Sequence, residues 1–547
     1  MLCVLLQGEL FIFTIFSLVA SNICFREPYE DQLAKKENEV NVLMKRLGSE
    51  ISRNHDELRQ WVKDNVNEYG TVAPVSNIVK SPKTSGYRNK CEFSIGYMSQ
   101  QAAKESGETA GDIKEEKGEE TMSDEKVIKK VISVGFRLAS YKAGSVEIVS
   151  LSSLENISTT LPHISSEMVM VVTKFEQLVR ASGILPYCSL ERKGNWRNIM
   201  IRTSRGLNSV DNKIKQIMVV VVLDPMDLSG SVLQQLKSDL IQFFTSGGGV
   251  DCGVTSLYIH LSPARKEAGV PDPAPELLWG EPTIQEQLMG RSFSISPQAF
   301  FQVNTLAAEV LYKTVGDIAD LGEKSSLVDV CCGTGTISLC LADRVKNVVG
   351  VEIIPEAVRD AQKNAENNGV TNCSFFTGKA EEILIPKLRD IDNKNIVAIV
   401  DPPRAGLHPK ALSAIRNTLA IKKLVYVSCD AKNAMKNFVD LSRPPSKTAK
   451  GDPFLPVKVI PVDLFPHSRG FELILLFERV AWGDVLNSEI AKRMRDVETE
   501  SLEEMVNLAE KVKEERELGL GVKEGLKKTE DITDTVDKEG DDFLNSL

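Results

Sequence analysis

The sequence predicts an α/β protein: a doubly wound, mostly parallel sheet in the C-terminal half, preceded by a mixed α+β region. Three observations predict it. Between about residues 300 and 480, buried-strand patterns (SLVDV, NVVGVEI, NIVAIVD, KLVYVSC, ELILLFE) alternate with amphipathic stretches, the pattern of parallel strands joined by helical crossovers. The first of these strands runs into a glycine turn, Cys331-Cys332-Gly333-Thr334-Gly335-Thr336, ahead of an apolar helix. Upstream, CEFSIGY (91–97), VISVGFRLASY (131–141), NIMIRTS (198–204) and IMVVVVLD (217–224) read as strands with few helices between them. The last strand, after Pro466, is open to an antiparallel placement.

The 547 residues suffice for two or three domains with real cores. A 42% hydrophobic and 26% charged composition excludes a disordered, collagen-like or polytopic membrane chain. The net charge of −10 is concentrated in two segments. Residues 501–547 carry 7 basic and 14 acidic side chains, and residues 101–130 carry 6 and 9. The remainder is near neutral, so the acidic balance does not exclude a nucleic-acid substrate. Ten cysteines without a C-x-x-C, and five scattered histidines, offer no metal or iron–sulfur ligand set and no disulfide framework. A reducing compartment follows as the default.

Along the chain, residues 1–28 form an apolar leader of uncertain status. Its core, Leu10 to Ala20, has Glu9 beside it and no basic residue before it, so secretory and mitochondrial targeting stand against an atypical start. A charged helix follows, with Leu33, Val40, Leu43, Leu47 and Ile51 on one stripe. Residues 29–290 make the upstream α+β region, with a solvated insertion near 100–128. The doubly wound domain takes 291–482, and 483–547 read as a charged helix with an acidic tail. Cytoplasm or nucleus is the expected location, with the mitochondrion as alternative; no stable membrane association is expected, and the oligomeric state is not indicated.

The chemistry-bearing residues gather where strands end. The glycine turn lets the backbone approach a ligand, and Glu352, nineteen residues after Gly333, could take both hydroxyls of a ribose. A plain turn and an exposed strand-end glutamate would look alike. Asp401-Pro402-Pro403-Arg404 closes the third strand, and Cys429 closes the fourth. A cysteine there is a candidate nucleophile; elsewhere in this chain cysteines, Cys331, Cys332 and Cys340 included, read as packing or lining residues. Glu472 interrupts the apolar strand FELILLF. It faces either solvent at an edge or a site, where burial would raise it toward a usable base. His467 reads as a turn or packing residue.

FSISPQAFFQVNTLAAEVLY (293–312), LVDVCCGTGTISL, GVEIIPEAV, VDPPRAGLHP, LVYVSC and VDLFPHS…FELILLFER, in that order and spacing, resemble the RNA uracil-C5 methyltransferase family. Upstream EPYEDQL, YRNKCEF and WRN…IRTSRG are similar too, so the resemblance covers about residues 28–480. It implies a Rossmann-like methyltransferase domain preceded by an RNA-binding domain, and an enzyme forming 5-methyluridine in the T-loop of tRNA, with other RNAs as an alternative substrate. Cys429 would be the nucleophile and Glu472 the base. Gln302, Cys331, Thr336, Glu352 and Asp401 would line the pocket for S-adenosyl-L-methionine, the methyl donor, with no metal and no iron–sulfur cluster. Two departures stand out. Ser428-Cys429-Asp430-Ala431 replaces the usual S-C-N-P, adding a carboxylate that would disfavour thiolate. Ser468-Arg469-Gly470-Phe471-Glu472 replaces T-P-H-x-E. Asp430 is the motive for a second reading, a catalytically weakened tRNA-binding or folding factor; C5 methylation of cytosine is a third, which the base strand disfavours. Tyr87, Arg88, Asn89, Lys90, Arg192, Lys193, Trp196, Arg197, Arg202 and Arg205 are the expected RNA contacts, phosphate-binding cations interleaved with an aromatic.

Overall fold

The computed structural model describes residues 27–101, 128–137 and 147–486, apart from short breaks at 68, 155, 208–212, 265–271, 390–394 and 448. The expected leader core, most of the insertion and the charged tail lie outside the described residues. No described helix is long and apolar enough to cross a membrane.

The C-terminal sheet comprises β10 (Ser326–Val330), β11 (Asn347–Glu352), β12 (Cys373–Thr377), β13 (Ile396–Val400), β14 (Ile421–Ser428), β15 (Phe454–Val462) and β16 (Glu472–Arg479). Its order is β12-β11-β10-β13-β14-β16-β15. The first five strands are parallel, and β16 enters antiparallel between β14 and β15. The doubly wound expectation holds, including the antiparallel last strand. Side chains of these strands alternate between two apolar clusters, as buried strands covered on both faces require. One face packs α7 (Ala380–Arg389), α8 (Pro409–Asn417) and α9 (Ala431–Ser442); the other packs α4 (Thr305–Ile318), α5 (Thr336–Leu341) and α6 (Pro355–Asn367).

The upstream sheet has the order β3-β2-β1-β4-β5-β6-β7. It is built from β1 (Lys90–Gln101), β2 (Ile128–Arg137), β3 (Ile148–Ser150), β4 (Trp196–Ser204), β5 (Gln216–Leu223), β6 (Ser256–Leu261) and β7 (Glu276–Gly280). Helices α2 (Ser166–Ala181) and α3 (Gly230–Thr245) bury one face of it. On the other face Met200, Met218, Val220 and Tyr258 join the hairpin β8 (Ile284–Leu288) and β9 (Arg291–Ile295) in a cluster shared with α4 and α5. That hairpin spans the boundary the sequence puts at 290/291.

Helix α1 (Tyr29–Asn54) carries the expected stripe, with Leu33, Val40, Leu43, Leu47 and Ile51 all buried. The stripe's partner, which the sequence leaves open, is supplied by the C-terminal half. The stripe packs with α8, α9 and the C-terminal sheet rather than with the upstream strands.

Candidate functional site

Parallel strands deliver their last residues to one edge, and in this sheet that edge holds Cys331, Glu352, Asp401 and Cys429. Because β16 runs the other way, its first residue, Glu472, reaches the same edge. Ser428 pairs with Leu473 and Val462 with Glu472, so Cys429 and Glu472 leave the sheet side by side. β16 is an interior strand and Glu472 is only 3% exposed, which removes the solvent-facing alternative.

Burial raises Glu472 well above the usual carboxyl range, Asp401 adds to the rise, and Arg404 opposes it. Among the described residues its Oε2 has no hydrogen-bond partner. Asp401 itself is pushed up to about 7 by burial and by the charge of Asp329. Both carboxyls are thereby biased toward their protonated forms. Cys429 is exposed, yet its thiol is raised by the surface it does bury and by Glu472 and Asp401. Arg404 reaches it as a donor and a positive charge, pulling the other way. The sequence reading gave Arg404 no role, because an arginine after two prolines looks like any turn residue.

The loop carrying Arg404 is fixed from behind. Asn437 Oδ1 accepts from Leu407 N (2.6 Å) and from the Tyr426 hydroxyl (2.8 Å), and Asn437 Nδ2 donates to the Leu407 carbonyl.

Asp430, suspected of disfavouring thiolate, has other work. It is the N-cap of α9, accepting from Asn433 N (3.2 Å) and Asn433 Nδ2 (2.8 Å). The Asp430→Ala variant is therefore expected to lose about 0.5–2 kcal/mol of stability, read as a lower melting temperature. Alkylation of Cys429 should remain within about twofold of the parent rate, as fits a carboxylate held at the helix terminus.

On the other side of the edge, the glycine turn folds as the sequence predicts. Gly333 and Gly335 take φ of +54° and +79°, which only glycine adopts freely. A Cβ at Gly335 would press on Phe375 and Ala361, whereas one at Gly333 would meet nothing within 4 Å. Space therefore opens over Gly333. Glu352 borders it, accepting from Gly333 N (3.1 Å), Ile353 N (2.8 Å) and Ile354 N (3.0 Å). A carboxylate has about four lone-pair sites, so acceptor capacity remains. Ile353 and Ile354 stand 61% and 53% exposed beside it, an apolar surface the sequence reading missed.

Cys331 is half-buried, and its thiol is pushed up to about 12 by burial and by Glu352, Asp329 and Asp401. Thr336 Oγ1 lies 3.2 Å from the Tyr312 hydroxyl. Gln302 is buried just ahead of α4, its carbonyl accepting from Asn89 Nδ2 (2.8 Å). Cys331, Glu352, Asp401, Cys429 and Glu472 thus converge directly; Thr336 borders them through Tyr312, whose hydroxyl is raised by burial and by Asp401. Among the described residues no group of three or more His, Cys, Asp or Glu could hold a metal.

The expected RNA contacts divide. Arg192 and Lys193 are exposed, and Arg88, Lys90 and Arg205 are half-buried. Trp196 is a correction: it is fully buried, edge-on to Phe175 at 5.6 Å, with Nε1 donating to Ser182. Arg202 is another, at 2% exposure within β4. Tyr87 is a third, buried with its hydroxyl donating to the Pro466 carbonyl; none of the three presents its side chain for an RNA contact.

Strand order, glycine turn and edge site define a Rossmann-like methyltransferase fold. The solved structure of Pyrococcus abyssi tRNA (uracil-54, C5)-methyltransferase in complex with S-adenosyl-L-homocysteine shares it. That match has a TM-score of 0.52 and 21% identity, covering 82% of this chain and 84% of that one. Residues 283–453 match the family described as tRNA (Uracil-5-)-methyltransferase. Mouse tRNA (uracil-5-)-methyltransferase homolog B is 37% identical over 462 residues, 83% of this chain and 84% of its own length. Human tRNA (uracil-5-)-methyltransferase homolog A is 38% identical over 454 residues; 83% of this chain matches 66% of that protein, just under two thirds of its length. The chain belongs to the tRNA (uracil-5-)-methyltransferase family.

Proposed function

We propose that the chain is an S-adenosyl-L-methionine-dependent methyltransferase that forms 5-methyluridine in the T-loop of tRNA. One observation carries the reading: an exposed cysteine and a buried, partner-poor glutamate leave adjacent strands at the edge that also bears an open glycine turn.

The residues at that turn fit the methyl donor. Glu352 would take the ribose hydroxyls, the exposed Ile353 and Ile354 would cover an apolar base face, and Cys331, Thr336 and Gln302 would line the remainder. When bound, the donor supplies an activated methyl group.

The protein's part is to make uracil C5 reactive and then to restore the ring. Cys429 Sγ adds to C6, and the electron pair of the C5–C6 bond moves to C5 and O4. Arg404, beside the thiol, favours the thiolate this needs. After C5 is methylated it still bears its proton, which Glu472 removes as the C6–S bond breaks and the thiolate departs. Asp401, biased toward its protonated form by burial and by Asp329, is suited to hold the polar edge of a base turned out of its stack. Arg192, Lys193, Arg88 and Lys90 would meet phosphates on the upstream sheet. The binding-only alternative drew on Asp430, whose carboxylate caps a helix, and no observation favours it.

The reading predicts that the protein, given S-adenosyl-L-methionine and tRNA containing 5-fluorouridine, forms a protein–RNA adduct stable on a denaturing gel. Fluorine at C5 cannot leave as a proton does, so elimination stalls. Mass spectrometry should find the nucleotide on the Cys429 peptide. No adduct under saturating methyl donor, or attachment at another residue, would refute the mechanism.

A further inference from the structure

The motif EPYEDQL opens α1, far from the sheet edge in sequence, and the chemistry above gives it no work. In space it and Lys36, one turn further along α1, grip the turn that leads to Glu472. Lys36 and Asp463 form an ion pair at 2.6 Å with side chains 3% and 0% exposed. A buried pair of this kind returns little net stability, since desolvation offsets attraction; what it fixes is geometry. Tyr29 OH donates to Asp463 Oδ2 (2.8 Å), and Lys36 Nζ also donates to the Phe465 carbonyl (3.1 Å). Gln32 Oε1 accepts from His467 N (2.9 Å). From other elements, Asn304 donates to the Leu464 carbonyl (3.1 Å) and Tyr87 to the Pro466 carbonyl (2.9 Å). Each residue from 463 to 467 is therefore held by a side chain, His467 in a left-handed conformation at φ +64°. The clamp begins one residue after Val462, the strand partner of Glu472.

Glu472 needs such help. Its Oε2 finds no donor among the described residues, so the aim of the carboxyl depends on the backbone of the β15–β16 connection. We infer that Tyr29, Lys36 and Asp463 are positioning residues for Glu472, setting removal of the C5 proton and not the attack of Cys429. This rests on the function proposed above.

The test uses the full chain with Tyr29→Phe, which deletes the hydroxyl's bond to Asp463 and the one it accepts from Ser81 N, and keeps the ion pair. A second variant, Lys36→Met with Asp463→Leu, replaces the pair by apolar groups, an exchange that often leaves stability intact. Melting temperature checks folding in both. Turnover on ordinary tRNA should fall about tenfold or more, with covalent adduct accumulating on that unmodified substrate. Adduct formation on 5-fluorouridine tRNA, which needs no proton removal, should stay within about twofold of wild type on the same reasoning. Unchanged turnover in both variants overturns the inference, as does a parallel fall in both rates, the mark of a merely structural role. A wild-type protein that forms no fluorouridine adduct overturns the underlying function instead.

Discussion

The Glu472→Gln variant is expected to trap the reaction halfway, with a methylated, protein-bound RNA adduct accumulating on ordinary tRNA. Glutamine fills the same space but cannot accept a proton. Turnover should drop roughly 10²- to 10⁴-fold, the usual contribution of a positioned base. Formation of the adduct should not slow, because the attack of Cys429 on C6 needs no proton taken up by Glu472. The pH dependence has a definite sign. Burial and Asp401 hold Glu472 protonated well above the ordinary glutamate range, and only the ionised form can take the C5 proton. Where that step limits the rate, wild-type turnover rises as pH is raised beyond the range of an exposed glutamate, and the variant loses this rise. Turnover on a par with wild type, without adduct, would assign the base elsewhere. Gel separation of adduct and nucleoside analysis of the product make both measurements.

How much of this was legible in the sequence depends on where each residue lies. Strands buried on both faces announce themselves as apolar runs, so β10, β11, β13, β14 and β16 could be read directly, together with the residues that end them. The two edge strands could not. β12 is Cys-Ser-Phe-Phe-Thr, short and half-polar, and β15 contains Pro456 and Pro461, which demote a strand unless it lies at an edge with its missing donors turned outward. Trp196 and Arg202 were misread for a related reason. In a strand, polarity alone does not say which face a side chain takes, and Arg202 sits between β1 and β5 in the middle of its sheet. The stripe on α1 was visible from its period, but a period names a buried face and never the partner. Arg404 and Asn437 escaped because their roles come from contacts across the chain. Asp430 is the reverse case: the local sequence suggested harm to the thiol, and the residue turns out to be serving the helix that follows it.

Replacing Cys429 by alanine should abolish both adduct and methylation while leaving the protein folded and able to bind tRNA. Among the described cysteines Cys429 alone is exposed, so truncating it opens no cavity and should shift stability by no more than about 0.5 kcal/mol. RNA affinity, which the proposed function assigns to cations of the upstream region, should hold within about twofold, because removing a neutral thiol changes no phosphate contact. The loss of turnover should reach background, since no other described thiol can substitute: Cys331 and Cys332 are held far above the thiolate range by burial and neighbouring carboxylates. That contrast explains why three cysteines close to one edge are not equivalent. Cys429 also lies under two carboxyls, but it alone has Arg404 beside it and an open approach for a planar base. Alkylation by iodoacetamide puts the argument to a direct measurement. Among the described cysteines Cys429 should be the one that reacts readily, at a rate that climbs with pH because the thiol is raised and only its ionised form attacks, and the variant should lack that modified peptide. If Cys429→Ala still methylates tRNA, or if it unfolds, the thiol is not acting as the exposed nucleophile that the sheet edge presents.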